Sequence, residues 1–168
     1  MDISIIGGSD GPTSIFLAGK VGFSWINTFG LIFVVLLLIP NIIYGIKFRG
    51  VQNQCKNRAM NILEQIGRYG CMLLMIFNVG ILESGFYSLG MIVLYISGDA
   101  VLMVAYWVIW MLFFCRQDNW KRIALAVIPV VMFLLSGIAR GHILLVIMAV
   151  VFGIGHIYVT KANMIAAE

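Results

Sequence analysis

The sequence predicts an all-α polytopic membrane protein with five transmembrane helices and an N-terminal re-entrant or interfacial segment. Hydrophobic residues fill 62% of its 168 positions and charged residues only 11%, against roughly 45–50% and about 25% in soluble domains. The apolar residues come in long runs rather than narrow stripes, as a bilayer core requires. The positive residues gather in short connections, so the net charge of +4 reads as a topology signal and not as a nucleic-acid footprint. No nucleic-acid partner is expected; the first partner is the lipid bilayer.

Two parts are expected: a motif-bearing segment, 1–22, and a transmembrane bundle, 23–168. The spans run about Trp25 to Ile46, Ile62 to Leu82, Leu89 to Phe114, Ile123 to Ile138 and Ile143 to Thr160, each near the roughly 20 residues that cross the hydrocarbon. Lys47, Arg49, Lys56 and Arg58 lie between the first two spans, Arg116, Lys121 and Arg122 between the third and fourth, and Lys161 after the fifth. The positive-inside rule then places the chain in a cell inner (plasma) membrane with its N-terminus outside and its C-terminus cytoplasmic. Trp25, Tyr87, Trp110, Trp120 and Tyr158 fall near the proposed interfaces and read as anchors. The connections at Glu83–Gly85 and Ala139–Gly141 are too short to house a domain, so any chemistry belongs within or beside the bilayer.

Asp99 is the most costly residue in that setting. Near the middle of the third span, a carboxylate costs about 2.5–3.5 kcal/mol even on the lenient insertion scale, and such groups normally face a bundle interior. Helical spacing puts Tyr95 and Tyr106 on its face, with Ser88 and Trp110 further along. Gly98 permits close approach of another helix. Asn78 on the second span and Ser136 on the fourth lie at comparable depth, so three helices can offer oxygen ligands to a hard cation. The competing reading is interhelical hydrogen bonding for assembly.

The remaining polar residues have simpler expectations. Pro40-Asn41 reads as a kink that frees backbone carbonyls. Arg140 is expected to snorkel outward, with Glu83 or an anionic lipid as alternatives. Glu64 and Arg68, four apart, pair with each other. His142 and His156 lie near opposite membrane faces and cannot share one metal within a chain. Cys55, Cys71 and Cys115 have no metal-ligand spacing. No nucleophile–base, zinc-protease or phosphate-loop pattern occurs, so no catalytic residue and no cofactor beyond Na+ is expected.

The N-terminal stretch carries the most specific signal. Gly7 and Gly8 free the backbone, Asp10 can cap, and Gly11-Pro12 supplies a turn with a proline suited to a first helical position. Thr13 to Leu17 then form a short apolar half-helix, the kind of broken element that builds ion sites in transporters. Ile5-Ile6-Gly7-Gly8-Ser9-Asp10-Gly11-Pro12-Thr13-Ser14-Ile15-Phe16-Leu17-Ala18 closely resembles a motif of the membrane β subunit of sodium-translocating, oxaloacetate-type decarboxylases. The resemblance covers about 20 of 168 residues. It implies that Asp10 takes part in sodium binding, with Gly11, Pro12 and Thr13 shaping the turn.

The expected ion-site residues are therefore Asp10, Thr13, Asn78, Tyr95, Asp99, Tyr106 and Ser136. The leading expectation is cation-linked transport or conduction, sodium above all. So few helices enclose a pathway most simply as a homo-oligomer. Two alternatives stand beside it: a non-transporting accessory or structural subunit that docks on a membrane-protein partner, and, more weakly, an intramembrane enzyme.

Overall fold

A computed structural model describes residues 25–48 and 53–165. Among these the chain is helical throughout, with α1 Thr28–Lys47, α2 Arg58–Ile76, α3 Leu89–Cys115, α4 Asn119–Ala139 and α5 Ile143–Ile165, joined by no strand but two isolated bridges, Ile26 with Phe77 and Glu83 with His142. The motif residues Asp10 and Thr13 lie outside the described residues.

Four helices, α1, α3, α4 and α5, are long and apolar enough to cross a membrane. The second falls short of that measure, and its faces explain why. Its inward face carries Glu64, Gly67, Cys71, Leu74 and Met75, all buried, while Ile62, Ile66, Tyr69 and Leu73 point outward and are each more than half exposed. That is an amphipathic helix with its apolar stripe outside. Arg58, Glu64 and Arg68 lower its average hydropathy without polarising the outward stripe.

The boundaries differ from the sequence expectation at two places that matter. The second helix spans Arg58–Ile76 rather than 62–82, because the chain leaves helical geometry at Phe77 and then passes through left-handed Gly80 and Leu82. Asn78 therefore sits in a connection, not on a helix. The first helix begins at Thr28 rather than Trp25, capped by Asn27 in extended conformation. Asn27 makes no side-chain cap bond, whereas α2 and α3 have one each, Asn57 accepting from Met60 N and Ser88 from Met91 N, which satisfies donors a helix end leaves open.

Three-residue turns, 116–118 and 140–142, make α3, α4 and α5 antiparallel neighbours. The first turn is braced by Asp118, which pairs with Arg116 and Lys121; the Lys121 hydrogen bond, more than any other cause, holds its carboxyl below the usual range. The helices close into a ring in the order α1, α2, α5, α4, α3, with α2 also touching α4 across it. Glycines let α2 and α5 approach closely. A Cβ on Gly67 would lie 2.6 Å from the Phe152 backbone, and one on Gly155 would lie 2.7 Å from Glu64 N, so α2 and α5 meet backbone to backbone.

The interior is filled by Val34, Met75, Tyr95, Tyr106, Met132, Phe133 and Leu145, none more than 2% exposed. Trp110 belongs to this interior and is no interfacial anchor: it is 6% exposed and packs against the rings of Tyr106, Phe113 and Phe114. Helical phase puts it on the same inward face of α3 as Tyr106, which outweighs its nearness to the helix end. Trp25, Tyr87, Trp120 and Tyr158 are exposed as expected.

Pro40 removes the N–H that would pair with the Leu36 carbonyl. Trp107 Nε1 donates to that carbonyl instead, at 3.1 Å. Asn41 Nδ2 reinforces the next turn by donating to Leu37 O and also to the Tyr106 hydroxyl, each at 2.8 Å. Trp107→Phe strands the freed carbonyl in an apolar setting and is expected to cost about 1–3 kcal/mol, seen as a lower unfolding midpoint in detergent. Trp25→Phe, at a residue 80% exposed, is expected to leave the midpoint unchanged.

Candidate functional site

The inward face of α3 presents Tyr95, Asp99, Met103 and Tyr106 in succession, all buried. Asp99 is wholly enclosed. Its Oδ2 accepts a 2.5 Å hydrogen bond from Ser136 Oγ on α4, and its Oδ1 is buried with no hydrogen-bond partner. Gly98 makes the approach feasible, since a Cβ there would lie 2.5 Å from Leu135 Cδ2, next to the serine. A buried carboxylate with one oxygen unpaired is costly as a bare anion and is stabilised by gaining a proton or a cation. With Ser136 it offers oxygens of the kind hard cations prefer.

The two tyrosines share the face of Asp99, as the spacing requires, but neither hydroxyl bonds to it. The Tyr95 hydroxyl accepts from Asn27 Nδ2 at 3.0 Å, tying α3 to the start of α1 and, through the same amide, to Met75 O at the end of α2. The Tyr106 hydroxyl accepts from Asn41. Together they extend a polar line along the bundle interior, from Asn27 past Asp99 to Asn41. Ser88, on the same helical phase, is an exposed cap. Of the expected ligands, Asp99 and Ser136 meet, Tyr95 and Tyr106 flank them on one face, and Asn78 is held elsewhere. Asn27 escaped the sequence reading, because an asparagine just before an apolar run reads as an ordinary helix cap.

Asn78 belongs to a second cluster, between the 77–88 connection and the turn after α4. Arg140 is 3% exposed and does not snorkel. Its guanidinium donates to Glu83 Oε1 and Asn78 Oδ1, the Glu83 contact being one of its expected alternatives. The backbone holds the partners close: Ser84 N donates to Gly141 O, and Ile143 N donates to Leu82 O. His142 is fully buried beside them; its Nδ1 accepts from Leu145 N at 3.3 Å and its Nε2 lies 3.8 Å from Glu83 Oε2. Burial, with the Arg140 charge adding to it and Glu83 opposing it, keeps this imidazole below its ordinary value. At Gly141 φ is +60°, and an added Cβ would lie 2.8 Å from the Tyr87 ring, so this turn requires glycine.

A third cluster joins α2 to α5 toward the opposite end of the bundle. Glu64 Oε1 accepts from Arg68 and lies 2.8 Å from His156 Nδ1. The expected Glu64–Arg68 pair forms, and His156 joins it. The two histidines thus sit in separate clusters, and among the described residues no group of three or more His, Cys, Asp or Glu is arranged to hold a metal.

The fold and its buried polar line define a helical, membrane-type bundle with an acidic residue at its heart. Comparison with protein-family models, with curated proteins and with solved structures finds no match.

Proposed function

We propose that this chain is a small integral membrane protein of cation-linked transport, with sodium as the leading ion, working as a homo-oligomer. In this reading all five helices cross a plasma membrane, α2 with its apolar stripe toward lipid, and the N-terminus lies outside. Asp99 is the residue that carries the cation, Ser136 its neighbouring ligand, and Tyr95 and Tyr106 the polar groups on either side along the path. Asp10 in the N-terminal motif supplies a second acidic group at the outer entrance.

One observation carries the reading above the others: Asp99 is completely enclosed at mid-helix, with one oxygen held by Ser136 and the other without a partner. A half-satisfied buried carboxylate weakens the packing it joins, so the open oxygen favours a group that takes up a cation or a proton over one that serves assembly as an anion. Intramembrane ionisable residues also mark ion pathways by default.

The test is a thermal unfolding series in detergent at constant ionic strength. A ligand that binds only the folded protein adds about 2.7 kcal/mol at a hundred times its Kd. Sodium is expected to raise the midpoint and potassium is not, and Asp99→Asn is expected to remove the sodium response. Equal midpoints in sodium and potassium for the parent protein would sink the proposal.

A further inference from the structure

All five helices line one cavity of about 80 Å³, room for a few waters or for a ligand of a handful of heavy atoms. Its polar lining is Asn41 from α1, Arg68 from α2, Tyr106 from α3 and His156 from α5. No carboxylate lines it. Glu64 stands behind Arg68 and His156 and pairs with both. The rest of the wall is apolar, with Leu37, Leu125, Phe133 and Phe152 among its members.

Hydrogen-bond accounting gives the cavity its sign. Both Asn41 amide hydrogens are engaged, on Leu37 O and on the Tyr106 oxygen. Tyr106 thereby has its oxygen occupied as an acceptor and its own hydrogen left to donate. Arg68 commits one nitrogen to Glu64 and retains the other donors of its fork. Its side chain is 37% exposed, and Asn41 is exposed as well. His156 directs Nδ1 at the Glu64 carboxylate, which only accepts, so Nδ1 carries the hydrogen. The donors left for the cavity are thus the Tyr106 hydroxyl and the free nitrogens of Arg68. In the apolar lining, Phe133 and Phe152 stand edge to face, their ring centroids 5.9 Å apart, and Phe152 stacks on the His156 ring.

We infer that this cavity is a binding site for a short-chain monocarboxylate of acetate or propionate size. The carboxylate lies against the Arg68 fork and the Tyr106 hydroxyl, and the short apolar tail lies against Leu125, Phe133 and Phe152. The two free donor groups favour an anion, the planar fork favours a carboxylate over a spherical ion, and a volume of about 80 Å³ suits a short acid. The inference goes beyond the cation reading and does not depend on it.

The experiment uses the full chain in detergent without sodium, titrated calorimetrically with potassium acetate or potassium propionate, and with potassium chloride as the reference. A saturable response to the carboxylates and not to chloride is expected. Arg68→Lys keeps the charge and the Glu64 partner but loses the fork. Tyr106→Phe removes only the hydroxyl, and serves also if the arginine variant does not fold. Each is expected to weaken binding about tenfold, as loss of one charge-assisted hydrogen bond does. No saturable response, an equal response to chloride, or affinity unchanged in the folded variants would overturn the assignment. Because sodium is absent throughout, failure here is separate from failure of the cation site.

Discussion

Gly155→Leu is expected to prise α5 from α2 and to lower stability steeply. The seam between these helices has no side chain to move aside: a Cβ on Gly155 already lies 2.7 Å from Glu64 N and 2.8 Å from its Cα. Overpacking usually costs about 1–3 kcal/mol, and more where the neighbour is backbone that cannot rotate away. Separation also pulls His156 from Glu64, leaving a carboxylate of 7% side-chain exposure with fewer partners. The expected readout is a large fall in the unfolding midpoint and loss of folded protein on purification. Gly45→Leu is the control, because nothing lies within 4 Å of a Cβ there; its midpoint should stay close to that of the parent.

Glu83→Ala is the second large effect. It removes the acid beside Arg140, whose side chain is 4% exposed, and leaves a buried guanidinium with the Asn78 and Met75 oxygens as its remaining acceptors. Stranding one member of a buried ion pair costs about 3–5 kcal/mol. The double variant Glu83→Ala with Arg140→Met removes the stranded charge and is expected to recover a substantial part of that loss. Arg116→Ala gives the contrast. Its partner is also a carboxylate, that of Asp118, but its side chain is 84% exposed, and such a pair contributes about 0–1 kcal/mol. Chemical denaturation of the four proteins in one detergent checks the order.

How much of this was written plainly in the residues varies from element to element. Long apolar runs announced α1, α3, α4 and α5, because a helix surrounded by apolar partners is apolar on every side. The second helix was equally visible as a helix, yet its low average hydropathy conceals an outward apolar stripe at Ile62, Ile66, Tyr69 and Leu73. Helical phase also sufficed to put Tyr95, Asp99 and Tyr106 on one face, since that relation lives within a single helix. The partners of these residues lie on other helices, and a sequence does not state the rotation of one helix against another. Ser136 was found by matching depth. Matching depth also suggested Asn78, but the chain leaves α2 at Phe77 and turns that side chain toward Arg140.

The clusters around Arg140 and Glu64 show the same division. Glu64 and Arg68 are neighbours by spacing alone, whereas His156 reaches them only because Gly67 and Gly155 let α2 and α5 touch. Arg140 has a long stem and an end-of-helix position, which together suggest snorkelling. Tertiary structure overrides that tendency by bringing Glu83 to it through a pair of backbone hydrogen bonds, Ser84 N to Gly141 O and Ile143 N to Leu82 O. Trp110 carries two signals: nearness to a helix end suggests an anchor, and the phase it shares with Tyr106, which prevails, puts it inside.

The central claim is that Asp99 carries a cation across the bundle, and ion flux tests it most directly. The purified chain is reconstituted in sealed liposomes, and uptake of radiolabelled sodium is followed down an imposed sodium gradient, with Asp99→Asn and Ser136→Ala reconstituted alongside at matched density. The account predicts uptake by the parent protein, partial loss with Ser136→Ala and background uptake with Asp99→Asn. Sodium uptake by Asp99→Asn at the parent rate would contradict it.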